Sequence, residues 1–216
     1  MITLISRQSV FSKYSKITEE IAQMQRLFYD GDPEYFASEV DRAAYQALFD
    51  AKDIFREKTT KFCKVISIDH DDIETFTDVL SRKLLDLFAE LRIKDLVMIS
   101  HCKMNFVGNI NNTYPPLLSA FEKFEKITKD IKYDEAVEFE VENLPELIEI
   151  VFWIARGDAA GPEFIFLFDK DEKLAINLCK EGNVHAIEFE KEILPNTILK
   201  RYGWELVKGG CYNSQL

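Results

Sequence analysis

The sequence predicts an α+β protein: a helical N-terminal half of about three helices, then a mixed sheet ending in a C-terminal antiparallel three-stranded meander with flanking helices. Three observations carry the prediction. Apolar residues recur at intervals of three and four up to about residue 94, and short strand-like runs dominate beyond it. Three of those runs, near the C-terminus, are separated by short polar turns.

From Ser6 to Tyr29, the positions Val10, Tyr14, Ile17, Ile21, Met24 and Phe28 form one stripe, which predicts an amphipathic helix stopped by Gly31. Asp32 and Pro33 then supply an N-cap and a first-turn proline. Phe36, Val40, Ala44, Ala47, Phe55 and Phe62 predict a second long helix. Asp71 or Asp72 is expected to cap a third, with its stripe at Phe76, Val79, Leu80, Leu84, Leu87 and Leu91. Three consecutive helices predict an antiparallel bundle or a helical layer.

Beyond Lys94, Leu96 to Ser100 is a continuous apolar run of the kind a buried strand shows, and Pro115 and Pro116 open a helix to about Lys129. Ala136 to Val141 alternates, with Val137, Phe139 and Val141 on one face and Glu138, Glu140 and Glu142 on the other, as in a half-exposed strand. Asn143 is expected to cap a helix ended by Gly157, and Ile150 and Trp153 on its far face predict that it is covered on both sides. Glu163 to Phe168, Lys173 to Cys179 and Val184 to Phe189 predict the meander. A helix around Glu192 to Arg201 and an extended tail at Trp204 to Val207 complete the chain. The expectation is a single cooperative domain, 1–216, with a helical layer at 1–94 and an α/β portion at 95–216.

The 216 residues, 47% of them hydrophobic, suffice for a continuous core without covalent staples. Cys63, Cys102, Cys179 and Cys211 lack CxxC spacing, and the first three sit in apolar surroundings, which predicts a reducing, cytoplasmic compartment with Cys211 the exposed thiol. Neither a signal peptide nor a run of apolar residues long enough for a membrane span is evident. With 38 acidic and 27 basic residues the net charge is −11, which repels phosphate backbones on average and favours a basic protein partner over nucleic acid. Ordinary solubility is the competing account of that charge.

Motifs for catalysis fail on spacing. Gly157 to Pro162 lacks the GK[ST] ending of a phosphate-binding loop and precedes a strand, so it reads as a connection, and Gly203 and the Gly209-Gly210 pair read as turns. Asp69, His70, Asp71, Asp72 and Glu74 crowd together without the alternation of a calcium loop or the paired spacing of a zinc site, and fit a helix start. His101 and Cys102 are adjacent and would point to opposite faces of a strand, so a base for the thiol would have to come from His70 or His185. Asp158 with Asp171 and Lys173 mimics a restriction-type nuclease pattern, but the Asp171–Lys173 pair falls in a hairpin turn. No catalytic residue, metal ligand or cofactor is expected.

An acidic surface remains. Glu138, Glu140 and Glu142, then Glu146 and Glu149, then Asp169, Asp171 and Glu172 are candidates for a negative patch that steers a basic protein, the alternative being a solvated face. The stretch from Leu144 to Phe189, PELIEIVFWIARGD followed by PEFIFLFDKDEKLAINLCKEGNVHAIEFE, resembles the helix-plus-meander of bacterial immunity proteins of contact-dependent growth inhibition and secreted competition systems. That resemblance covers about a quarter of the chain and implies a small cytoplasmic protein that neutralises a cognate toxin, such as a nuclease, by tight noncatalytic binding. It supplies no binding residues, and a hydrolase or metal-dependent nuclease with an unrecognised site is the alternative. The expected partner is a basic toxin, with neither nucleic acid nor membrane bound; the oligomeric state is left open.

Overall fold

The computed structural model describes residues 1–208, in the order β1 (Ile2–Ile5), α1 (Arg7–Lys13), α2 (Ser15–Phe28), a 3-10 turn (Pro33–Tyr35), α3 (Glu39–Ala47), β2 (Lys61–Ser67), α4 (Phe76–Glu90), β3 (Asp95–Ser100), α5 (Pro115–Thr128), β4 (Ala136–Glu140), a second 3-10 turn (Val141–Asn143), α6 (Leu144–Gly157), β5 (Ile165–Asp169), β6 (Leu174–Leu178), β7 (Val184–Phe189), α7 (Asn196–Arg201) and β8 (Glu205–Leu206). Cys211 and the Gly209-Gly210 pair lie outside the described residues. The strands form one sheet in the order β1-β4-β3-β5-β6-β7-β2-β8. Every neighbouring pair is antiparallel, so the expected mixed sheet is corrected to an antiparallel one and the α+β class stands.

Alternation along the strands builds two cores. In β3, Leu96 and Met98 enter a core shared with α4, α5 and α6, whereas Val97 and Ile99 enter one shared with α1 and α2. β3 is therefore buried on both faces, which is why it reads as a continuous apolar run rather than an alternating one. Helix α6 lies between α4 and α5, so Ile150 and Trp153 on its far side are buried as the sequence predicts. The meander β5-β6-β7 forms at the predicted places.

The N-terminal half departs from prediction. It carries β1 at one edge of the sheet and β2 beside β7, so residues 1–94 are not a helical layer and the three helices do not form a bundle. The first predicted helix is two, broken at Tyr14, whose φ of −117° and ψ of 99° are extended. The break leaves Val10, Tyr14, Ile17 and Ile21 in one core, because Tyr14 turns edge-on to Phe168 with ring centroids 5.1 Å apart. The second predicted helix exists only as α3. Its supposed stripe fails because Val40 and Phe55 are 77% and 74% exposed, whereas Val65 and Ile66 of β2 are buried against the sheet. Burying an aliphatic side chain of this size contributes about 1.5–3 kcal/mol, so strand pairing wins over a helix with nothing to cover it.

Asp32 accepts from the Glu34 backbone and starts the 3-10 turn, but Ser38 caps α3. Thr75 occupies the N-cap position of α4, and Asp72 holds the preceding turn by accepting from the Glu74 backbone and the Thr75 hydroxyl. Asn143 takes the N-cap position of α6 without a side-chain cap bond, donating to the Glu140 carbonyl instead.

A candidate acidic interface

Of the side chains considered for catalysis, His70, Asp158 and Asp171 are engaged in structural bonds. His101 and Cys102 follow β3 and are buried. Burial pushes the His101 imidazole down to about 4 and the Cys102 thiol up to about 11, so at neutral pH the first is uncharged and the second protonated. His70 pairs with Thr75 at 2.8 Å. Asp158 is buried and accepts from the backbone of Gly108, Asn109 and Ala160, joining two loops at one end of β5. Asp171 pairs with Lys173 at 2.6 Å in the turn at the other end, so the nuclease-like triplet is not assembled. No group of three or more His, Cys, Asp or Glu side chains among the described residues is placed to hold a metal ion. No helix among them is long and apolar enough to cross a membrane.

The eight acidic residues predicted as a patch fall on different parts of the fold. Glu138 and Glu140 project on the α1–α2 face of β4, beside their register partners Val97 and Asp95. Asp169, Asp171 and Glu172 form the β5–β6 turn, while Glu142, Glu146 and Glu149 belong to the layer of α6 on the opposite face. Several are spent. Asp169 is buried and accepts from the backbone of Asp171, Lys173 and Leu174, closing the hairpin. Glu172 accepts from the backbone of Ser15, Lys16 and Ile17 and so caps the N-terminus of α2. Glu138 pairs with Lys170, Glu140 with the N-terminal ammonium and Glu149 with Lys123, each at 2.5 Å. Glu142 and Glu146 are exposed and make no ion pair among the described residues.

A different segment collects unpaired charge. Between Gln25 and Asp50 the chain makes an excursion from the end of α2 through the 3-10 turn and α3, and from Leu27 to Asp41 it carries five acidic residues and no basic one. Of these, Asp30, Asp32, Glu34 and Asp41 make no ion pair among the described residues, while Glu39 lies 3.8 Å from Arg42. In the same stretch, Leu27, Phe28 and Tyr35 are 55%, 46% and 73% exposed. The sequence signal, an acidic run without a base, is obscured because Asp32 and its neighbours read as the cap and first turn of a second helix.

The neck of this excursion is a part-buried polar network. Arg7, 1% exposed, holds Asp50 by two bonds of 2.7 and 3.0 Å and donates to the Ser100 carbonyl at 2.7 Å. Gln25 donates to Asp50 and to the His101 carbonyl and accepts from the Ala51 backbone, so one side chain ties both ends of the excursion to β3. Above the neck, Tyr45 stacks on Tyr29 at 5.8 Å and meets Phe36 and Phe49 at 5.1 and 4.9 Å. Its hydroxyl accepts from the Asp30 backbone and donates to the Phe28 carbonyl. A bidentate Arg–carboxylate pair carries geometric specificity, so this network positions the acidic, apolar surface beside the end of β3. No protein-family model, curated protein or solved structure matches this chain.

Proposed function

We propose that the protein is a noncatalytic inhibitor that binds a basic protein, as an immunity protein binds a cognate toxin domain such as a nuclease, in a reducing cytoplasm. The observation that carries this reading is the excursion from Leu27 to Asp41, where carboxylates without ion pairs lie close in sequence to exposed apolar side chains. Carboxylates of this kind raise association rates by long-range steering, and the apolar groups between them supply contact area once the partner has arrived. The neutral states of His101 and Cys102 support a structural rather than a catalytic role for that pair.

Affinity capture of the tagged protein from its native lysate at low and moderate salt, with mass spectrometry, tests the reading. A stoichiometric basic protein is expected at low salt, retained less at moderate salt and less by the triple variant Asp30→Asn, Asp32→Asn, Glu34→Gln. Recovery of the chain alone at both salt concentrations, or undiminished capture by the triple variant, would overturn it.

A further inference from the structure

Helix α3 is amphipathic in the reverse sense. At about 100° per residue, Val40, Ala43, Ala44 and Ala47 fall within one stripe roughly 100° wide. All four are exposed, whereas Arg42, Tyr45 and Gln46, on the opposite side, are half-buried against the protein. The apolar stripe of α3 thus faces solvent, while the Tyr45 ring, flanked by Arg42 and Gln46, faces the protein, with no residue of the helix buried. Glu39 and Asp41 lie about 100° to either side of Val40 and border the stripe.

A nine-residue helix is too short to persist on its own propensity; Ser38 caps its start and Tyr45 anchors its inner side. Its outer side, made of alanines and one valine, lets a second helix approach to about 8 Å, the near end of the usual range. Pairing with a second copy would oppose two acidic borders on molecules that each carry a charge of −11. A cationic helix meets no such repulsion.

We propose that the exposed stripe of α3, Val40, Ala43, Ala44 and Ala47 between Glu39 and Asp41, is the docking surface for a cationic amphipathic helix of a partner protein. The proposal rests on the inhibitor reading and names the element through which it works. The partner lays its apolar face along the stripe, and its flanking Lys or Arg side chains reach Glu39 and Asp41, with Asp30, Asp32 and Glu34 drawing it in from a distance.

The probe is a synthetic 18-residue amphipathic helix of Leu and Lys, with a counterpart in which every Lys is Glu, titrated against the full chain by fluorescence anisotropy and backbone NMR. The Lys peptide is expected to shift resonances in residues 27–47 and to lose at least tenfold in affinity to Val40→Ser and to Ala44→Arg, with thermal melts showing both variants folded. Glu142→Gln with Glu146→Gln should change affinity less than twofold. Equal binding of the Glu peptide, unchanged binding by the α3 variants, or self-association of the chain through α3 would overturn the proposal. If the α3 variants are neutral while Asp30→Asn, Asp32→Asn, Glu34→Gln weakens binding of the Lys peptide, helix docking fails and the inhibitor reading survives. If neither the peptide nor any basic protein binds, both fail.

Discussion

His101 sits beside the neck network with its ring edge-on to Phe164 at 5.3 Å and its carbonyl held by Gln25. Burial depresses its folded-state pKa from the ordinary 6.5 to about 4, with the nearby Arg7 charge acting in the same direction. The unfolded chain therefore binds a proton between those values that the folded chain does not. The stability contributed by the neutral ring is complete above about pH 6.5 and is lost as pH falls towards 4, an effect of roughly 3 kcal/mol over that window. Urea midpoints measured from pH 7.5 to 4.5 should fall steeply in the wild type and less steeply in His101→Phe, which keeps a ring against Phe164. Equal acid slopes would show that other groups dominate. The adjacency of His101 and Cys102 is visible in the sequence; the packing around His101 is not, because it involves Phe28, Phe164 and Gln25, residues distant along the chain.

At the scale of elements, Glu172 joins the β5–β6 turn to α2. Its φ of 51° is unfavourable for a residue with a Cβ, and its carboxylate compensates by accepting from three backbone N–H groups at the start of the helix. Glu172→Gln removes the charge that the helix N-terminus prefers and should cost about 1–2 kcal/mol in a denaturant titration. A loss below a few tenths would show that the cap is replaceable by water. The loop after β3 meets the loop after α6 backbone to backbone. A Cβ at Gly108 would lie 2.1 Å from the Ala160 carbonyl carbon, so Gly108→Ala must push the loops apart and strain the Asp158 bonds that join them. A destabilisation of about 2 kcal/mol is expected from such overpacking, and an unchanged urea midpoint would show that the loops give way freely. Neither junction is legible in the sequence, where Glu172 reads only as a candidate for the negative patch.

For the whole molecule, the sheet decides what can fold. β7 has β6 on one side and β2 on the other, and β4 has β3 and β1, so strands from residues before 94 flank those from residues after it. The chain cut between residues 94 and 95 should therefore yield two fragments without cooperative thermal transitions alone, and mixing them should restore one. A cooperative melt of the isolated 95–216 fragment would show that the second part stands by itself. The charge of −11 also belongs to this scale, but where it acts depends on pairing: Lys170, Lys123 and the N-terminus neutralise much of the predicted patch, and the stretch from Leu27 to Asp41 has no base of its own.

By itself the sequence determined the α+β class, helices α4, α5 and α6, strands β3 and β4 and the meander. In each of these, local periodicity and turn residues agree with the burial the fold imposes. The tertiary structure alone decided the fate of Lys61 to Ser67 and of Ile2 to Ile5. A short strand has little periodicity of its own, and its stability comes from β7 and β4, remote partners that complete its hydrogen bonds. It also decided which carboxylates face solvent unpaired, because an ion pair is a matter of distance in space, and Glu138 finds Lys170 across 32 residues of chain.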